Sequence, residues 1–138
     1  RAGMARRINK PGQVFSRTHV EDIAQILAAS MAHPRPGGIY NIGDDEPAPS
    51  HEIISYACEL LGRTPPELID FELANLAPIT QSFYSDNKRV KNDKIKSELG
   101  IVLKYKNYRE GLKACLDAEN YALSQLDESA EKTPKIFS

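Results

Sequence analysis

Hydrophobic positions recur at helical spacing in the first third of the chain. Val20, Ala24, Leu27 and Met31, with Ile23 beside them, mark a helix running to Ala32. Thr18-His-Val-Glu21 before it has the form of a capping box, in which Thr18 bonds the free N–H three residues on and Glu21 reaches back. Asp22 places a second carboxylate in the first turn, where the helix dipole favours it, and Pro34 and Pro36 end the helix. Gly37-Gly38 then leads into Ile39-Tyr-Asn-Ile-Gly43, a short run with two largely apolar faces, as expected of a strand covered on both sides.

The pattern continues in short pieces. Ser50 is expected to cap a second helix whose Ile53, Ala57, Leu60 and Leu61 share a face and whose end is marked by Gly62. Pro65-Pro66 breaks the chain, and Leu68 to Leu73 is expected to be extended. A third helix is predicted from about Asn92 to Leu99, stopped by Gly100, followed by an extended Ile101-Val-Leu103. Asn107-Tyr-Arg-Glu110 repeats the capping logic and opens a helix with Leu112, Cys115, Leu116, Leu123 and Leu126 on one side. Residues 1–126 therefore form the folded part, and 127–138 are expected to be a polar, disordered tail. Helices alternating with short buried strands predict an α/β protein of about four helices, with too few strands for a complete doubly wound sheet. The missing sheet is expected upstream of Arg1, since the opening Arg-Ala-Gly-Met-Ala-Arg-Arg reads like the middle of a longer chain.

Composition changes this picture little. The 138 residues are 41% hydrophobic and carry 18 basic against 19 acidic side chains, the profile of a globular domain. Charge is blocked: residues 1–20 total +5, 21–75 total −8 and 76–138 total +2. Eight bases and two acids in Lys88–Arg109 raise a nucleic-acid module as a weak alternative, disfavoured because the whole chain is not basic. Two cysteines, Cys58 and Cys115, make no disulfide framework and suggest a reducing, cytoplasmic setting. The apolar runs are too short to span a bilayer, so no membrane is expected.

Candidate chemistry is sparse. His19 with Asp22 could be a general-base dyad, although helix seating explains both positions. Asp44-Asp45-Glu46 lacks the alternating ligand spacing of a calcium loop and reads as a solvated acidic turn. His33 and His51 have no partner at zinc spacing, so no metal is expected. Tyr84-Ser-Asp-Asn-Lys88 has the Y-x-x-x-K spacing of reductases, but Asp86-Asn87 reads as a turn, which separates the pair from a common helical face. No glycine-rich phosphate cradle or nucleophile elbow occurs, so no catalytic or cofactor-binding residue is assigned and the chain alone is expected to be inactive.

Val14-Phe-Ser-Arg-Thr-His-Val-Glu-Asp-Ile-Ala24 resembles the "H-V-x-D-hydrophobic-A" segment of the extended short-chain dehydrogenase/reductase superfamily, the NAD-dependent epimerase/dehydratase group. Gly38-Ile-Tyr-Asn-Ile-Gly43, the Ser50 helix start, the Lys88–Gly100 segment and Tyr108-Arg-Glu-Gly-Leu112 follow in the family's order, so that the likeness covers roughly 12–116. The resemblance implies the C-terminal part of an NAD(P)-binding Rossmann-type fold with its substrate lobe. The parent would be an oxidoreductase or epimerase that binds NAD or NADP, none of it on this chain, and acts on a small molecule. The family's glycine fingerprint, its Tyr/Lys pair and its dimer helices would all lie upstream. The family's two diphosphate-binding arginines fall here on Phe15 and on Leu76 or Asn75, which argues against a sugar-nucleotide substrate. Phe15, Arg17 and His19 are the substrate-proximal candidates. A non-catalytic dinucleotide sensor or scaffold of the same fold is the alternative.

Overall fold

The computed structural model describes the backbone of residues 3–131 and the side chains of residues 3–126. The chain is a mixed α/β protein: β1 (Arg7–Asn9), α1 (Val20–Ala32), α2 (Ser50–Leu60), β2 (Leu68–Asp70), α3 (Pro78–Phe83), α4 (Asp93–Leu99) and α5 (Tyr108–Glu131), with a 3-10 turn over Phe71–Leu73. β1 and β2 pair in parallel with Ile8 opposite Ile69, and Asn9 Nδ2 donates to Asp70 Oδ1 at 2.9 Å.

A second extended junction organises the centre. Phe15 exchanges both backbone hydrogen bonds with Ala48, at 3.1 and 3.2 Å. On its other side Ser16 N–H donates to Lys88 C=O at 2.8 Å and Lys88 N–H to Val14 C=O at 3.1 Å. Side chains reinforce the seam: Val14 N–H donates to Asn87 Oδ1 at 3.0 Å, and Val90 N–H to Ser16 Oγ at 2.8 Å. Residues 6–16 are therefore held by partners distant in sequence, which satisfies most of their buried polar groups.

Two apolar clusters form the core. One gathers Ile26, Ile95, Leu99, Ile101 and Leu103, with Ala29, Tyr40 and Ile42 against it. The other gathers Ile8, Ala74, Leu76 and Tyr84, with Phe15, Ile69 and Phe71 packed on it. Asp22 is fully buried between α1 and the segment before α5, where it accepts the Lys104 and Tyr105 amides at 2.8 and 3.0 Å. A carboxylate there satisfies two amides that would otherwise be unpaired.

Several expectations change on contact with the structure. Ile39–Gly43 forms no strand; Tyr40 and Ile42 face the core, while Ile39 is 76% exposed. The segment has the alternation of a strand but no partner strand among the described residues, and a ladder needs two members. Ile101–Leu103 likewise forms no strand, with Ile101 and Leu103 buried and the Ile101 N–H donating to Ile95 C=O at 3.3 Å. The expected extension over Leu68–Leu73 keeps only its first half as β2. α1 starts where predicted, yet its cap is His19, whose Nδ1 accepts the Glu21 N–H at 3.2 Å, and not Thr18. Ser50 is not a cap either; Pro49 precedes α2, and the Ser50 hydroxyl accepts from Arg17. At α5 the predicted cap is present: Asn107 Oδ1 accepts from the Arg109 and Glu110 amides, at 3.0 and 3.1 Å. α5 is continuous to Glu131, past the expected start of the tail at 127, and residues 132–138 lie outside the described residues. No helix among the described residues is long and apolar enough to cross a membrane.

Candidate functional site

The first turn of α1, the 44–46 loop, α2 and the start of α5 enclose a cavity of about 240 Å³. Its walls are apolar at Val20, Ile53 and Leu112, and Arg17, His19, Asp44, Tyr105, Tyr108 and Cys115 bring polar groups to it. A concave apolar site with a few convergent polar groups is the usual form of a small-molecule pocket. A smaller apolar groove of about 170 Å³ between α2 and α5 adjoins it through Leu112 and Cys115.

Each polar group is held for a traceable reason. His19 ends the extended segment and caps α1, so its Nδ1 is occupied by the Glu21 amide. The neutral ring must then carry its proton on Nε2, which lies 3.5 Å from Cys115 Sγ. Tyr105 packs on the imidazole with ring centroids 4.0 Å apart. Gly111 on α5 faces the ring, and a Cβ added there would meet His19 Cδ2 at 3.5 Å, in ordinary contact.

Arg17 is committed to the frame. Its guanidinium donates to the Phe15 and Ala48 carbonyls at 3.0 and 3.1 Å and to Ser50 Oγ at 3.1 Å. Burial lowers its pKa, against the pull of Asp44. It therefore supplies a fixed positive field more than a free bidentate fork. Asp44 is 4% exposed, donates its N–H to Arg17 C=O at 2.6 Å, and accepts the Glu46 N–H at 3.2 Å. Burial pushes its carboxyl up to about 6, with Arg17 opposing. A carboxyl titrating near neutrality can give or take a proton at physiological pH. The Tyr108 phenol is also raised by burial, and the ring stands edge-on to Tyr56 at 5.9 Å.

Of the three substrate-proximal candidates, Arg17 and His19 line this cavity and Phe15 does not. The Phe15 ring turns into the second core cluster, edge-on to Tyr84 at 5.7 Å, because its backbone bridges Ala48 and Lys88. The His19–Asp22 dyad does not form, since Asp22 is spent on the Lys104 and Tyr105 amides and on Gln25. Tyr84 is buried in the core and Lys88 is exposed, and no hydrogen bond links them. The acidic loop is the solvated turn expected only in part, at Asp45 and Glu46. Asp44 is buried, Asp45 takes Asn92 Nδ2 at 2.6 Å and Lys96 Nζ at 2.5 Å, and Glu46 pairs with Arg109 at 2.6 Å. Among the described residues no group of three or more His, Cys, Asp or Glu is placed to hold a metal. That Asp44, Tyr105, Tyr108 and Cys115 share a pocket escaped the sequence reading. Gly111 and Cys115, four apart on one helix face opposite a capping histidine, were the available signal.

No known family profile matches the chain. No curated protein matches it either. Among solved structures it is similar to a functionally unknown conserved protein from Silicibacter pomeroyi DSS, at 61% identity and a TM-score of 0.81 over 86% of this chain. The chain spans 42% of that protein's length.

Proposed function

We propose that this chain is the C-terminal, substrate-side portion of an NAD(P)-dependent oxidoreductase or epimerase of the extended short-chain dehydrogenase/reductase kind, acting in the cytoplasm on a small molecule. The observation that carries the reading is the cavity of about 240 Å³ lined by Arg17–Val20, within the segment that resembles the family's helix-opening motif. The 61%-identical protein, of which the chain spans 42%, supports a second half that this chain does not include.

The residues here do not fit a dinucleotide by themselves. No glycine-rich turn offers amides to a pyrophosphate, and Arg17 commits three of its five N–H donors to two carbonyls and a hydroxyl. The hydride chemistry therefore belongs to the other half in this reading, and no step of it is assigned here. What these side chains do is bind and orient. Tyr105, Tyr108 and Leu112 exclude water from an apolar substrate body, and Arg17 sets a positive field over the cavity. Asp44, titrating near 6, exchanges a proton with a substrate hydroxyl or carbonyl oxygen. With the family's diphosphate arginines replaced by Phe15 and by Leu76 or Asn75, a small uncharged or singly charged carbonyl compound fits better than a nucleotide sugar.

Fluorescence titration with NADH and NADPH tests this on two proteins. The full-length Silicibacter pomeroyi protein is expected to bind one of them saturably, and the 138-residue chain neither. Micromolar binding by the short chain, or no binding by the long one, overturns the reading. Binding without turnover of any carbonyl substrate favours the sensor alternative.

A further inference from the structure

Cys115 stands where the cavity and the α2–α5 groove meet, and it is exposed. His19 Nε2 lies 3.5 Å from its sulfur. Because the Glu21 amide occupies Nδ1, the neutral ring keeps its proton on Nε2, which donates to the sulfur and offers no lone pair to a metal. Two features fix that contact. Tyr105 packs on the imidazole, and Gly111, one turn before Cys115 on α5, leaves the room in which the ring approaches the helix. Capping α1 does not by itself require the far edge of the ring to meet a thiol.

The same cavity holds a second group open to a ligand. Asp44 is 4% exposed; its Oδ1 accepts the Glu46 amide, and its Oδ2 has no hydrogen-bond partner among the described residues. Burial pushes this carboxyl toward its protonated form, which donates a hydrogen bond. Val20, Ile53 and Leu112 give the cavity its apolar walls, and Leu60, Leu61 and Leu116 continue the apolar surface along the groove beyond Cys115. A thiol, a donor for a carbonyl oxygen and an apolar track for a chain together match the three parts of an α,β-unsaturated carbonyl compound.

We infer that Cys115 is a covalent acceptor site for α,β-unsaturated aldehydes and ketones with an apolar tail, its sulfur positioned by His19 and the ligand carbonyl held by Asp44. The inference rests on the reading that the cavity takes a small carbonyl compound, and on nothing of the nicotinamide chemistry. In the step, the thiol proton leaves to water and the thiolate sulfur forms a bond to the β carbon. The C=C electron pair shifts toward the carbonyl oxygen, which takes a proton from Asp44. The enol then passes its proton through water to the α carbon, and the proton released by the thiol restores Asp44. The net reaction adds S–H across the double bond and needs no oxidant or reductant.

Adduct formation with trans-2-hexenal, followed by peptide mass spectrometry on the 138-residue chain, tests it. The adduct is expected at Cys115 at least about tenfold faster than at Cys58, which is half-buried in a different pocket. The rate at Cys115 is expected to level off as the enal concentration rises, and hexanal, which lacks the double bond, is expected to slow it by competition. A rate that stays proportional to enal concentration, or that hexanal does not slow, is that of a merely exposed thiol and overturns the inference. Equal labelling of the two cysteines does the same. His19→Asn keeps a capping side chain and removes the contact with the sulfur, so the plateau rate should fall at least about threefold. Asp44→Ala should raise the half-saturating concentration by about the same factor. A plateau unmoved by the first variant, or a half-saturation unmoved by the second, overturns the inference. If either variant fails to fold, saturation and hexanal competition in the parent chain decide. A saturable adduct without nicotinamide binding by the long relative ends the oxidoreductase reading and leaves this one. Nicotinamide binding without a saturable adduct does the reverse.

Discussion

Asp44 and Asp22 are both buried carboxyls near the start of α1, and the structure treats them oppositely. Asp22 receives two backbone amides, whereas Asp44 receives one and has its carboxyl pushed up to about 6 by burial. Between about pH 4 and pH 6 the folded protein holds a proton on Asp44 that the unfolded chain releases, so stability from this group falls as pH rises through that window and is gone above it. Asp44→Asn keeps an acceptor without the ionisation. Urea denaturation should find the variant more stable than the parent by about 1–2 kcal/mol at pH 7.5, with the advantage vanishing near pH 4. Asp22→Ala should do the reverse and cost about 2–4 kcal/mol at neutral pH, because the Lys104 and Tyr105 amides lose their acceptor inside the protein.

At the level of the element, α5 and α4 show local rules obeyed. Asn107 bonds two free amides of α5, while Glu110 turns back to accept the Lys106 N–H at 2.8 Å and Asn107 Nδ2 at 3.0 Å. α4 ends at Gly100 with φ 65°, a conformation that costs a side-chain-bearing residue about 1 kcal/mol. Gly111→Ala is the more informative substitution. The added methyl meets His19 in ordinary contact, so thermal melts should show the helix gaining up to about 1 kcal/mol. The same methyl narrows the cavity, and substrate affinity in the full-length relative should fall while stability rises.

Helix positions were legible because capping and periodicity are local, but their faces were not. Val20, Ala24, Leu27 and Met31 match the helical period as well as any core stripe, and only tertiary contacts reveal that Ile26 is the inward residue. His19 displaced Thr18 as the cap because its imidazole nitrogen reaches the Glu21 amide. α3 was not anticipated, although Pro78 at its first position is a recognised start signal. β1 was hidden because Arg7-Ile8-Asn9 has one apolar residue and becomes a strand through Leu68–Asp70. Within the site, Arg17 and His19 could be found from the motif. Asp44 could not, since a run of three acids reads as solvated unless the burial around it is known.

At the scale of the whole molecule, part of the basic segment is paired with the acidic one. Of the eight bases in Lys88–Arg109, Lys96, Lys104 and Arg109 form ion pairs with Asp45, Glu21 and Glu46. These pairs tie the basic segment to separate parts of the acidic one and break up any single positive stripe. Anisotropy with a labelled oligonucleotide is expected to show no tight binding at low salt; binding there that collapses as salt is added would revive a nucleic-acid role.

The long reach of the amino-terminal contacts has a consequence for synthesis. Ile8 waits for Ile69, Phe15 for Ala48 and then Lys88, and Asp22 for amides 82 and 83 residues downstream. A nascent chain emerging from the ribosome can coil its first helix early, but it cannot anchor that helix until Tyr105 is outside the exit tunnel. Until then the apolar residues of both α1 faces stand open to chaperones and to neighbouring chains. Loop closures of this span make folding slow compared with a local helical bundle.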